Sequence, residues 1–223
     1  MKRIFIVNFK NYRGGVGSRA VKLAMLIEEI ASEYEHVETM VVTEPPDVFR
    51  VSHSTKLKVI SVADPVDFGR HTGAVIAEDL KDNGAYGLLI NHSENKISLG
   101  AIKFLILKAR TLQMKSIVCA ENLNQLKKIV KLKPDIVAVE PKELIGGNVS
   151  VSTAKPSLIK RAYDVSSKYK IPLLCGAGVK NDEDVAKALK LGASGVLVAS
   201  GVVKAKNKRK AITNLLNGFS LNN

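Results

Sequence analysis

Two hydrophobic periods take turns along this chain. Short runs rich in Val, Ile and Leu occur at residues 3–7, 37–43, 58–62, 86–91, 116–120, 136–139, 171–174 and 195–199. Stretches with apolar positions three and four apart lie between them, at residues 20–34, 47–52, 75–83, 99–112, 123–132, 155–168, 183–191 and from 208 onward. The short runs are almost wholly apolar, as in strands covered on both faces, which is the signature of a parallel sheet under helices. The spacing therefore predicts eight strands alternating with eight helical segments. A (β/α)8 barrel, compact and near the low end of its roughly 200–400-residue range, accommodates that count, with residues 1–223 as one domain. The competing architecture is an open doubly wound sheet. It would carry a glycine fingerprint in its first turn, where this chain has Asn8-Phe9-Lys10-Asn11-Tyr12.

Composition narrows the class. With 46% hydrophobic and 25% charged residues, the chain is neither disordered nor fibrous. No window approaches the ~18–20 consecutive apolar residues of a membrane span, and the opening Met1-Lys2-Arg3-Ile4-Phe5-Ile6-Val7-Asn8 lacks the apolar core of a signal peptide, so a cytoplasmic protein with no membrane partner is expected. Cys119 and Cys175 have no metal-binding spacing. They read as buried reduced thiols, and no metal is expected. A net charge of +13 raises the question of a polyanionic partner. Only Lys204-Ala205-Lys206-Asn207-Lys208-Arg209-Lys210 forms a compact basic run, however, and no aromatics interleave it, so nucleic acid is not expected as a partner.

Barrel chemistry sits at the C-terminal ends of strands, and those ends carry the candidates. Asn8 and Lys10 follow the first strand two positions apart, a spacing that on an extended strand points both toward the barrel mouth; Lys10 is there either solvated or aimed at an anion. After the fourth strand comes Asn91-His92-Ser93-Glu94. The Ser-Glu pair resembles a helix start, whose dipole would keep His92 neutral, although a structural histidine fits as well. Glu140 ends the sixth strand, where burial would raise its pKa and suit it to general-base work. The segment beyond, Pro141 to Asn148, has the rigid start and glycine close of a hinged lid; an ordinary loop with a solvated Glu140 is the alternative. Cys175-Gly176-Ala177-Gly178 and Ala199-Ser200-Gly201 follow the last two strands, and paired small-residue loops there suit a phosphate.

Taken together, Asn8-Phe9-Lys10, His71-Thr72-Gly73, Asn91-His92-Ser93-Glu94, Val139-Glu140-Pro141, Glu143-Leu144-Ile145-Gly146, Cys175-Gly176-Ala177-Gly178 and Ala199-Ser200-Gly201-Val202-Val203-Lys204-Ala205 give the sequence its resemblance to the triosephosphate isomerases, in their short archaeal-type form. The match runs over essentially the whole chain. It implies a TIM barrel that interconverts dihydroxyacetone phosphate and D-glyceraldehyde 3-phosphate through an enediolate, in glycolysis and gluconeogenesis, without metal or organic cofactor. The roles come with the family, whose tuned acid–base pair is well known: Glu140 as base, neutral His92 as electrophile, and Lys10 as the charge facing phosphate and enediolate. Asn8 is implied to hold position beside Lys10. Phosphate is implied to meet backbone N–H groups at Ile145, Gly146, Gly178, Ala199 and Ser200. The family is also oligomeric through its third loop, here around His71-Thr72-Gly73, which implies at least a dimer and, for the archaeal type, a homotetramer.

The sequence departs from the family in three places. The lid reads Ile145-Gly146-Gly147-Asn148 where the family has Ile-Gly-Thr-Gly, so its closing kinetics are expected to differ. Val62-Ala63-Asp64-Pro65 lacks the usual Ala-Gln, which bears on rim contacts and subunit packing. A glycine-rich Arg13-Gly14-Gly15-Val16-Gly17 stands where an acidic stretch is usual, so a more mobile first loop is expected. Two readings of other classes stay open on the sequence: another small sugar-phosphate isomerase, and an inactive basic barrel that binds polyanions.

Overall fold

The computed structural model describes residues 2–140 and 155–221. Its strands are β1 (Arg3–Asn8), β2 (Val37–Val42), β3 (Lys58–Ser61), β4 (Gly87–Ile90), β5 (Lys115–Ala120), β6 (Ile136–Val139), β7 (Leu173–Cys175) and β8 (Gly195–Val198). Each pairs in parallel with the next, and β8 pairs with β1, which closes the barrel. The expected fold class is the observed one. The boundaries moved at β7, which starts at Leu173 because Pro172 has no N–H to donate to the ladder, although its carbonyl accepts from Val137.

Among the described residues the helices are α1 (Ser18–Ala31), α2 (Val48–Ser54), α3 (Ala77–Asp82), α4 (Leu99–Thr111), α5 (Leu123–Ile129), α6 (Pro156–Ser167), α7 (Asp182–Lys190), α8 (Ser200–Val203) and α9 (Lys208–Asn217). Local chemistry explains their ends. Ser98, Asn122, Asn181 and Asn207 each accept an N-terminal backbone N–H, and α7 carries Asp182, Glu183 and Asp184 in its first turn against Lys187 and Lys190 in its last. The short helix α8 was not legible as such, because four residues hold barely one helical period. None of the described helices is long and apolar enough to cross a membrane.

Alternate strand residues feed two separate cores. Ile4, Ile6, Met40, Val42, Ile60, Leu89, Ile117, Cys119, Ile136, Ala138, Leu174 and Leu197 fill the barrel interior. Their neighbours, such as Phe5, Val7, Leu88, Ile90, Val118, Val137 and Val139, pack outward under the helices. Both faces of every strand are thus apolar, which is why the runs show no alternation. This parity also aims the strand ends. Asn8 follows Ile4 and Ile6 inward, and Glu140 follows Ile136 and Ala138 inward.

Candidate functional site

The barrel mouth holds a cavity of about 160 Å³, lined by Lys10, Tyr12, His92, Glu94 and Glu140, by residues 176–180 and by residues 197–201. It is smaller than the ~300–1,000 Å³ typical of pockets for drug-sized ligands, so a small substrate suits it. Lys10, His92, Glu140, Gly178, Ala199 and Ser200 are all brought together here. Asn8 is buried behind this wall, where its Oδ1 accepts the Lys10 N–H at 3.0 Å. The lid at 141–148, with Ile145 and Gly146, lies outside the described residues.

Two details of the sequence reading need correction. Lys10 does not reach the mouth by strand alternation, because β1 ends at Asn8 and Lys10 has a left-handed φ of 48°. The turn is held by Asn8, whose side chain caps it, and the ammonium lands 2.9 Å from Glu94 Oε1 with only 12% of the side chain exposed. The residues after His92 do not start a helix. Ser93 and Glu94 form a turn in which Asn95 N–H donates to the His92 carbonyl at 2.8 Å, and α4 begins seven residues past His92, at Leu99.

The same turn orients the imidazole. The Glu94 backbone N–H donates to His92 Nδ1 at 3.2 Å, the hydrogen bond of a ring that carries its N–H on Nε2. The Glu94 carboxylate also lies 3.7 Å from Nδ1, but that is beyond hydrogen-bond reach and does not compete. Nε2–H points to the interior, 3.7 Å from Glu140 Oε1.

Glu140 is 2% exposed. Burial pushes its carboxyl above the ordinary carboxylate range, against the opposing pull of His92, the Cys119 thiol, Lys10 and the Ser93 backbone N–H. Among the described residues its buried Oε2 has no hydrogen-bond partner, nor does the neighbouring Ser93 Oγ. The Cys119 thiol is itself held well up by burial and by the Glu140 charge, so it faces the carboxylate as S–H. Gly176 provides the floor. A Cβ there would sit 2.5 Å from Glu140 Cγ, so only glycine leaves room for this carboxylate. Cys119 and Cys175 are both buried and neither is in a disulfide, as expected.

The segments after β7 and β8 supply the rest of the cavity wall. Gly178 has a left-handed φ of 71°, and α8 starts at Ser200. The first intrahelical donors are Val202 and Val203, both to the Ala199 carbonyl, so the Ser200 and Gly201 amides precede any carbonyl the helix could offer them. Tyr12 and Lys180 also line the cavity, and neither was singled out from the sequence. Tyr12 carries Lys204, the first residue of the basic run, over its ring at 4.6 Å.

The glycine-rich first loop is tied at two points, by Gly15 N–H to the Tyr12 carbonyl and Gly17 N–H to the buried Asp47 carboxylate. Gly15 serves close approach, since a Cβ there would lie 2.8 Å from Phe9. In the third loop Asp64 acts as a staple. Its N–H donates to the Val75 carbonyl and its Oδ2 accepts the Val75 N–H, both at 2.8 Å.

The fold and this mouth define a (β/α)8-barrel enzyme in which a buried carboxylate faces an imidazole beside a lysine. The model of the family described as triosephosphate isomerase matches residues 3–217. The chain is 43% identical over 215 residues to the triosephosphate isomerase of Saccharolobus solfataricus, covering 96% of this chain and 94% of that one. It is 41% identical over 216 residues to that of Methanothermus fervidus, covering 96% and 97%. The crystal structure of triosephosphate isomerase from Bartonella henselae superposes with a TM-score of 0.79 at 18% identity, over 99% of this chain and 100% of that one, a likeness of fold. The chain belongs to the triosephosphate isomerase family, in its short archaeal-type form. Its reaction is the interconversion of dihydroxyacetone phosphate and glyceraldehyde 3-phosphate.

Proposed function

We propose that Glu140 is the base of this isomerisation, His92 its electrophile and Lys10 its fixed cation. The Glu140 carboxylate takes a proton from C1 of dihydroxyacetone phosphate, and the electron pair left behind forms the C1–C2 double bond of an enediolate as charge moves onto the C2 oxygen. His92 Nε2–H donates to that oxygen and passes protons between the two oxygens. Glu140 then returns its proton to C2, giving the aldehyde. Backbone N–H groups of Gly178, Ala199 and Ser200 hold the phosphate, with Ile145 and Gly146 from the lid, and Asn8 keeps the Lys10 turn in place. Donors already aimed at the developing charge are what lower the barrier.

One observation carries this reading: a fully buried carboxylate with a free oxygen stands 3.7 Å from an imidazole whose proton is on the near nitrogen. Turnover in heavy water tests it. The native enzyme is expected to place solvent deuterium on C1 or C2, and Glu140→Gln to lose that exchange along with turnover. A Gln variant that exchanges at the native rate overturns the assignment.

Self-association is proposed as well, to a homotetramer and at the least a dimer. Phe68, in the third loop, is 71% exposed and Phe49 is 55% exposed, apolar surface that a neighbouring subunit would cover. Light scattering at micromolar concentration that returned a 24.1 kDa monomer would rule it out. We further assign residues 1–223 to one domain, expected to unfold in a single transition, and place the enzyme in the cytoplasm with the rest of glycolysis, which cell fractionation checks.

A further inference from the structure

Strand parity alone would send His92 away from the mouth. In β4, Leu89 faces the barrel interior while Leu88 and Ile90 face the helices, so position 91 points inward and position 92 outward. His92 nevertheless lines the cavity. The residue between is Asn91, which has a left-handed φ of 59° and is buried to 6% exposure. A non-glycine residue there is uncommon, and Asn is among the few that accept it.

The Asn91 side chain is fully engaged at both ends. Its Nδ2 donates to the Cys119 carbonyl at 2.9 Å, on β5, and its Oδ1 accepts the Ile97 N–H at 3.2 Å, which closes the loop that contains His92, Ser93 and Glu94. One peptide further along β5, the Ala120 carbonyl accepts the Glu140 N–H at 2.9 Å. The imidazole and the carboxylate are therefore both referenced to two consecutive carbonyls of one strand. We propose that Asn91 is the positioning residue that turns His92 into the mouth and fixes its distance from Glu140 through β5. This rests on the reading of His92 as electrophile.

Asn91→Gly tests it, because glycine keeps the left-handed backbone and removes only the two side-chain bonds. The expected result is a fall in kcat of about 10- to 100-fold with KM within about threefold, since a reacting group displaced by about 1 Å can cost ~10²-fold. The 15N signals of His92 should also lose the fixed Nε2–H pattern. A purely structural role would lower the melting temperature and leave both kcat per folded molecule and the His92 spectrum alone, and that result overturns the proposal. If the variant does not fold, the native enzyme decides. The Asn91 side-chain amide protons are expected to exchange at least ~10²-fold slower than a free amide, and exchange at the free rate overturns the proposal. His92→Gln separates the two readings. Native turnover in that variant removes the electrophile role itself, whereas loss there beside native turnover in Asn91→Gly removes only the inference about Asn91.

Discussion

The two ends of β6 carry acids in opposite circumstances. Asp135, at the start, accepts from Lys115 Nζ at 2.8 Å, from Ser116 N–H at 3.0 Å and from Ser116 Oγ at 2.8 Å. Burial works to raise its carboxyl, but Lys115 and the two Ser116 donors outweigh that and hold it below the ordinary range. Glu140, one residue past the other end, is more deeply buried, has an oxygen with no protein partner, and sits above the ordinary range chiefly because of burial. The bottom of the barrel spends its polar groups on one another, as Lys58 also does with Glu38 and Tyr86. At the top Lys10 is paired with Glu94, but among the described residues Glu140 Oε2 has no partner. An unsatisfied buried carboxylate costs stability, and that cost is what a base aimed at a substrate proton looks like in the free protein.

Neutral amides at the two positions should pull that contrast apart. Glu140→Gln is expected to lower kcat by about 10²- to 10⁴-fold, the usual worth of a general base, in a coupled assay of either triose phosphate, while the protein unfolds no earlier than the native one. Gly176→Ala comes next. Gly176 N–H is bonded to the Val139 carbonyl at 3.0 Å, so the new Cβ displaces the Glu140 side chain, for a loss of up to about 10² in kcat and about 1–3 kcal/mol in denaturant stability. Asp135→Asn should do the reverse of the Glu140 change, costing about 1–3 kcal/mol in urea unfolding because its single remaining acceptor oxygen cannot serve both Ser116 and Lys115, with kcat of the folded enzyme within twofold.

The smallest effect is the most diagnostic, since its sign differs at the two ends. Glu140 has a folded pKa above its ordinary 4.5, so the folded protein keeps a proton that the unfolded chain has given up. Native stability relative to Glu140→Gln is therefore greatest below pH 4.5 and declines as pH rises from there through the raised folded value. Asp135 has a folded pKa below its ordinary 3.8, so its advantage over Asp135→Asn is full above pH 3.8 and lost as pH falls through the depressed value. Two unfolding series across pH 3 to 7 measure both. Parallel trends would show that the two ends are not opposed as described.

Legibility followed the same division. Strand and helix order was readable because apolar runs and helical periods are local, and the ends of β1, β4, β6, β7 and β8 pointed to Lys10, His92, Glu140, Gly178 and Ser200 without any coordinates. What failed was direction at the turns. Lys10 was expected to follow strand parity and His92 to head a helix, yet both are aimed by left-handed residues, Lys10 itself and Asn91, whose conformations are fixed by side-chain bonds to Asn8 and to β5. Tyr12 and Lys180 were missed, and Gly176 was read only as part of a phosphate loop and not as the floor under Glu140, because these roles are a matter of proximity across the barrel.

The sequence by itself determined the barrel's repeat, the chemistry available at its mouth and the family. Periodicity and residue type are carried within a few positions of one another, and covalent order preserves them. Only the closed sheet decided that Glu140 would be buried against Gly176, that His92 Nε2 would stand 3.7 Å from its carboxylate, and that both would hang from adjacent carbonyls of β5. Those are relations between segments some twenty to fifty residues apart, and they exist only once β4, β5, β6 and β7 lie side by side.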